Sequence, residues 1–218
     1  MAHKVSFKRS KKTTGEGSRS RTLPDFNSDI FRSQRHQQRY ETLKNWSFIK
    51  ERRVDLKEDE YPEFTTELTR RRWTRLAEPL KKFDPELVLE FYANAWPTRE
   101  GQVDQRTFIK GQWIPYDRDA ISHLLGHPLI LPEGHLCEYS QRRLRGGGFD
   151  EQAISQLLCA PEHDFVYGPT GRRLRLLRTS MTTLTQIWMT FLLSNLQPSN
   201  HTSDLPLTKC ELVFSILS

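Results

Sequence analysis

The stretch Leu89-Glu90-Phe91-Tyr92-Ala93-Asn94-Ala95-Trp96 decides how this chain is read. It sets three aromatic rings and two alanines around one carboxylate and one amide, so it is either a site or a piece of core. Just upstream, Asp84, Pro85 and Glu86 form a helix start: a capping oxygen, a proline where no amide bond is needed, and a carboxylate in the positive first turn. At 100° per residue, Leu87, Val88, Leu89, Phe91, Tyr92, Ala93, Ala95 and Trp96 fill an arc of about 240° and leave Glu86, Glu90 and Asn94 on one narrow strip. Such a helix is expected to be surrounded by protein, with Phe91→Ala costing about 3–5 kcal/mol. No second acid, base or nucleophile accompanies Glu90, so it is read as a solvated or core-edge carboxylate and not as a catalytic one.

Working outward, Val103 to Ile109, Lys110-Gly111 and Gln112 to Tyr116 alternate around a two-residue turn and predict a β-hairpin. Asp117 caps a short helix with Ile121, Leu124 and Leu125 inward, ended by Gly126 and Pro128. A loop is expected to follow, containing Arg142-Arg143-Leu144-Arg145 and Gly146-Gly147-Gly148. Phe149-Asp150 then starts a helix through Leu158. A second hairpin is expected from Phe165 to Leu177, a broadly apolar helix from about Thr179 to Leu196, and a last helix from Pro206 whose apolar end has no cap. Towards the N-terminus, Ser28 or Asp29 caps a helix to Leu43, Trp46 to Leu56 is irregular, and one helix is expected over 62–76. From Ser18 to Glu100 there is no glycine, which suits helices and extended segments.

Composition narrows the function. Hydrophobic residues make up 36% of the 218, and the closest comparable count is about 38% where globular domains have roughly 45–50%, so part of the chain is expected outside any core. Residues 1–22 carry Lys4, Lys8, Arg9, Lys11, Lys12, Arg19 and Arg21 against Glu16 alone, a surplus of six that equals the net charge of the whole chain. The remainder is neutral, so the basic character belongs to a leader. That leader, residues 1–27, is expected to be disordered, because it cannot bury enough surface to offset its ordering entropy. Its seven cations are the candidate nucleic-acid-binding or import-signal residues. Residues 28–218 then form a single, mostly helical α+β domain with two small hairpins, expected to be incomplete at its C-terminus.

Cys137, Cys159 and Cys210 are odd in number and far apart, which fits a reducing compartment, nucleus or cytoplasm. No apolar run reaches the roughly 20 residues of a membrane span. His123, His127, His135, Cys137, Cys159 and His163 lack the tight repeated spacing of zinc ligands, so neither a metal site nor any cofactor is expected. Arg70-Arg71-Arg72 and residues 171–178 could add phosphate contacts, but Glu63, Glu67 and Glu78 favour surface ion pairs for the first, and strand alternation alone exposes the arginines of the second.

The order of FYANAW at 91–96, KGQWIPYDRDAISHLLGHPL at 110–129 and IWMTFLLSNLQPSNHTSDLPL at 187–207 resembles the Putative plant transposon protein domain, over about residues 28–218. The resemblance implies an origin in a plant retroelement and carries over no catalytic residue. The expected function is therefore non-enzymatic, acting through macromolecular contacts, with weak sequence-nonspecific nucleic-acid binding by the leader. The alternatives are a gag-like self-assembling structural protein, and a transposase remnant, for which no carboxylate triad stands out from spacing. Protein partners or self-association are open, and no membrane is expected.

Overall fold

The computed structural model describes residues 26–57, 59–79, 82–98, 104–126, 130–144 and 148–218. The basic leader lies outside these residues except for its last two. Phe26 packs against the cluster built on Phe31 and Tyr40, and the Asn27 amide donates to Gln37 Oε1 at 2.9 Å.

The described elements form the α+β, mainly helical architecture expected from sequence. In chain order they are α1 (Gln34–Leu43), α2 (Pro62–Arg70), α3 (Thr74–Ala77), α4 (Pro85–Asn94), β1 (Arg106–Ile109), β2 (Gln112–Pro115), α5 (Arg118–Leu124), α6 (Glu138–Leu144), α7 (Glu151–Leu158), β3 (Val166–Tyr167), β4 (Arg173–Leu177), α8 (Thr183–Phe191), β5 (Asp204–Pro206) and α9 (Leu207–Leu217). Three of the sequence caps hold: Asp84 accepts from the Glu86 amide, Asp117 from Ala120, and Asp150 from Gln152 and Ala153. The first hairpin forms from Arg106, Val103 lying outside the described residues, with Ile109 opposite Gln112 and both turn residues left-handed, Lys110 at φ 45° and Gly111 at 78°. The second gains a strand, since β5 pairs antiparallel with β4 to give the order β3-β4-β5.

Two buried clusters organise the chain. The larger joins α2, α7, β4, α8, β5 and α9 around Phe64, Ile154, Leu158, Leu176, Trp188, Phe191 and Val213. Phe64 sits 4.5 Å from the Trp188 ring and 5.9 Å from Phe191, and each such fully buried side chain contributes roughly 2–3 kcal/mol. The smaller joins α1 and α4 through Phe31, Tyr40, Leu43, Leu89 and Ala93, with β1 of the hairpin also packed on α4. The chain enters the smaller unit, leaves it for α2 and α3, returns for α4 and the hairpin, and then completes the larger unit. The two connecting segments touch where Phe48 meets Phe83 edge-on at 5.9 Å. Beyond α8 the helix widens into a π turn over Leu192–Leu196. It aims Asn195 at the first connection: its Nδ2 donates to the carbonyls of Arg52 and Leu76 at 2.8 and 2.7 Å, and its Oδ1 accepts from the Arg52 amide.

Several expectations are corrected. On α4 the buried face combines Leu89 and Ala93 with two of the three polar residues: Asn94 is 0% and Glu90 6% exposed, whereas Glu86 is exposed, Tyr92 is 58% and Trp96 40% exposed. What lies against Asn94 and Glu90 is backbone, from residues 30–32 and the hairpin turn. Asn94 Oδ1 accepts from the Arg32 amide at 3.1 Å, and its Nδ2 donates to the carbonyls of Ile30 and Phe108, both at 2.7 Å. Glu90 Oε1 accepts from the amide of the left-handed Lys110 at 2.6 Å. A face that receives peptide groups has to be polar, because a buried donor or acceptor without a partner costs about 1–3 kcal/mol. Glu90 is thus a core-edge carboxylate, as one arm of the sequence reading had it, and it fastens a turn.

The helix expected over 62–76 is two helices. Arg72, at φ 55°, occupies the left-handed position after α2, the Trp73 amide donates to Leu68 O and the Arg72 amide to Thr69 O. This is a Schellman closure with arginine where glycine is usual, so the sequence carried no stop signal. α1 begins at Gln34, after Ser33, instead of near Ser28. On α5 nothing is buried: Ile121 is 47% and Leu124 65% exposed. That helix is gripped by its end, where Arg75 Nη1 donates to Leu124 O at 3.2 Å and Arg72 Nη1 to Gly126 O, which leaves its side chains outward. The loop expected around Arg142 is largely α6, supported by an Arg142–Glu138 pair one turn apart and by Tyr139 against Phe149. The end of α9 does find a cap, since Arg71 Nη2 donates to Ser215 O and Ile216 O at 3.3 and 3.2 Å.

Candidate nucleic-acid interface

The smaller unit presents a surface of arginines and tryptophans. Arg32, Arg35 and Arg39 recur at helical spacing along the start and face of α1, and that edge runs beside the end of α4. The Arg39 guanidinium lies between two rings, 4.3 Å from the centroid of Trp96 and 4.9 Å from that of Trp46. At the other end of the row, Arg32 and Arg106 stand 4.8 and 5.1 Å from the Trp113 ring. Trp46, Trp96 and Trp113 remain 59%, 40% and 47% exposed, so each offers free ring surface.

The two ends differ in charge. Asp104 accepts from Arg32 at 2.8 Å and from Arg106 at 3.3 Å, so one carboxylate offsets one of the two positive charges at the Trp113 end. Among the described residues no carboxylate lies within ion-pair distance of Arg35 or Arg39; Arg35 reaches only Thr98 O, at 3.4 Å. Between them, buried His36 is held by Ser33 Oγ at its Nδ1 and by Trp96 O at its Nε2, an arrangement satisfied by a neutral ring protonated on Nε2. Burial lowers its pKa, as do Arg32 and Arg35, against the raising effect of the Trp96 carbonyl. The positive charge of this edge therefore rests on guanidinium groups, which do not titrate. Chemically the arrangement suits planar, electron-rich groups joined by anions. It also ties the end of α1 to the end of α4, each exposed cation–π pair contributing about 0.5–1 kcal/mol.

The seven leader cations, Lys4, Lys8, Arg9, Lys11, Lys12, Arg19 and Arg21, lie outside the described residues. The other basic clusters are already engaged. Arg70 and Arg71 both hold Glu67, whose carboxyl lies below its ordinary range chiefly because of the Arg70 bond, against the opposing effect of burial. Arg173 is 17% exposed, set against Glu151 at 3.5 Å, Gln152 at 2.9 Å and Asp164 at 3.7 Å. Arg175 faces Asp204 at 3.6 Å. Strand alternation does not expose the β4 arginines uniformly: the hairpin register shifts between Val166 and Tyr167, Arg173 turns in and Leu174 turns out.

Among the described residues no three His, Cys, Asp or Glu side chains converge as metal ligands, and His127 lies outside them. Cys159 and Cys210 are buried free thiols, and burial pushes the Cys210 thiol up to about 12. No described helix is long and apolar enough to cross a membrane. The Trp–Arg surface was not legible from sequence, because Trp46 and Trp96 are brought together across α2 and α3. Its one local signal is the arginine spacing in a helix otherwise rich in glutamine.

No curated protein and no solved structure matches this chain. One protein family does, described as "Putative plant retrotransposon-related domain", over residues 69–218, which is more than half of the chain. The match takes in α4, the hairpin with Trp113 and the whole of the larger unit's β-sheet, and it leaves α1 outside. The match spans all three stretches that pointed to a plant mobile element, and the chain belongs to the plant retrotransposon-related domain family.

Proposed function

We propose that this domain is a non-enzymatic, retroelement-derived module of the nucleus or cytoplasm that acts through macromolecular contacts, with nucleic acid as its partner and the basic leader as its first point of attachment. The observation that carries this reading is the segregation of charge, with the whole surplus of six in residues 1–22 and a neutral remainder. Seven cations on one short segment neutralise several phosphates without reading sequence, so affinity falls steeply with salt, with a slope of up to about 5 on single strands if all seven engage. Arg35 and Arg39, which have no carboxylate partner among the described residues, supply a second, smaller basic element.

The test is retention of a labelled oligonucleotide at low salt by the full chain and by a chain lacking residues 2–22. Loss of most retention and of most of the salt slope is expected on deletion. Unchanged retention would remove the proposal.

A second reading, gag-like self-assembly, is favoured by the large apolar side chains left uncovered over 121–144: Ile121, Leu124, Ile130, Leu136 and Leu144 are 45–86% exposed. It predicts oligomers that grow with concentration on a sizing column and survive removal of the leader. A monomer at every concentration would end it.

A further inference from the structure

We propose that the Trp46–Arg39–Trp96 stack is a platform for unpaired bases, which makes the ligand single-stranded nucleic acid in preference to duplex. The proposal rests on the reading above and deepens it. Four features carry it. First, Trp46 is 59% exposed and takes no part in either buried cluster, so its outer ring face is open while its inner face is braced by Arg39. An exposed tryptophan held in place by a guanidinium is already oriented and loses little freedom when a base stacks on it. Second, Arg39 and Arg35 lie one helical turn apart and have no carboxylate partner among the described residues, so the anions that accompany stacked bases meet unneutralised charge beside the rings. Third, the Arg39 Nε is buried and has no hydrogen-bond acceptor among the described residues, and the neighbours recorded for its guanidinium are the rings of Trp46 and Trp96.

Fourth, the leader joins this unit. Phe26, the first described residue, packs on the cluster formed by Phe31 and Tyr40 of the same α1 segment. The leader cations are therefore covalently tied to the unit that carries the rings, and two weak contacts on one strand act as one stronger one. The leader does not distinguish a single strand from a duplex. The rings do, because a paired base presents no free π face, whereas every unpaired base can stack, whatever its identity. A proline-rich peptide is the other ligand that favours exposed tryptophans. The guanidinium groups that lack a carboxylate among the described residues, and the cationic leader, favour the polyanion.

The experiment uses the full chain with a 15-nucleotide oligo(dT), oligo(U) and a DNA duplex of the same length, followed by anisotropy and by tryptophan fluorescence quenching. Trp46→Ala is expected to weaken single-strand binding about five- to hundredfold, the usual range for losing one stacked base, with duplex binding unchanged. Trp46→Phe keeps a ring and is expected to restore most of the affinity, which separates stacking from any effect on folding. Deleting residues 2–22 is expected to weaken single strand and duplex alike. Equal affinity of the intact chain for single strand and duplex, or unchanged single-strand affinity in Trp46→Ala, overturns the platform while the leader reading stands. Binding unaffected by deletion of the leader but lost in Trp46→Ala overturns the leader reading and leaves the platform. Trp46-dependent capture of a proline-rich peptide, with no such dependence for oligonucleotides, overturns the ligand assignment.

Discussion

Replacing Asn94 by alanine tests the central packing claim, because the sequence periodicity and the tertiary structure give opposite answers there. The side chain is fully buried and serves three backbone groups: the Arg32 amide at 3.1 Å and the carbonyls of Ile30 and Phe108 at 2.7 Å. Alanine leaves all three without that partner in a closed seam. At about 1 kcal/mol for each neutral hydrogen bond, the loss is about 3 kcal/mol, and more if water does not enter. For a chain of this size that corresponds to a fall in Tm of about 6–12 °C. The matched control is Tyr92→Ala, two residues away. Tyr92 is 58% exposed, and its recorded ring contact is an edge-on approach to Phe91 at 5.4 Å, so about 1 kcal/mol or less is expected. A third variant, Asn94→Asp, is nearly isosteric but sets a carboxylate against two carbonyl oxygens; its damage should exceed that of alanine at neutral pH and ease as the pH falls and the group protonates. Urea denaturation followed by far-ultraviolet circular dichroism reads all three. A larger loss for Tyr92→Ala than for Asn94→Ala would mean that the aromatic arc faces the interior, and the account of the α1–α4–hairpin seam given above would be wrong.

Two further predictions concern the larger unit. Arg71→Ala removes both the pair with Glu67 and the cap on the carbonyls of Ser215 and Ile216, and should cost about 2 kcal/mol in the same assay; Arg71→Lys should recover less than half of that, and full recovery by lysine would show that the forked geometry is not what matters. Asp164 sets an acid limb. Burial pushes its carboxyl up, but the hydroxyls of Tyr167 and Ser155, the Phe165 amide and Arg173 together outweigh this and bring it down to about 2, from an ordinary 3.8. A depressed folded pKa means the stabilisation is complete above about pH 5 and is lost as the pH drops towards 2. Asp164→Asn should therefore lower Tm near neutrality and flatten its fall below pH 4, and parallel acid limbs for the two proteins would refute the assignment.

Much of the fold was legible because its signals are local. Asp84-Pro85, Asp117 and Asp150 each satisfy amides two or three residues on, and Lys110-Gly111 sets its turn by its own left-handed dihedral angles, which Glu90 then fastens. The failures share one cause. Arg72 stops α2 in a left-handed conformation that nothing in its residue type announces, and its guanidinium meanwhile holds Gly126 across the fold. The apolar residues of α5 have helical spacing, yet the helix is held through its terminal carbonyls, so that spacing covers nothing. Residues 204–206 became a strand only because β4 offered them an edge.

The candidate interface divides in the same way. The sequence by itself determined the charge segregation and the motif order that resembles a plant retroelement domain, since these depend on which residues are present and in what order. Only the tertiary structure decided that Asn94 and Glu90 face inward, that Tyr92 and Trp96 face out, and that Trp46 and Trp96 close on Arg39. Periodicity records which side chains avoid water. It does not record whether a side chain or a peptide group arrives opposite them, and on α4 the peptide groups arrived opposite Asn94 and Glu90.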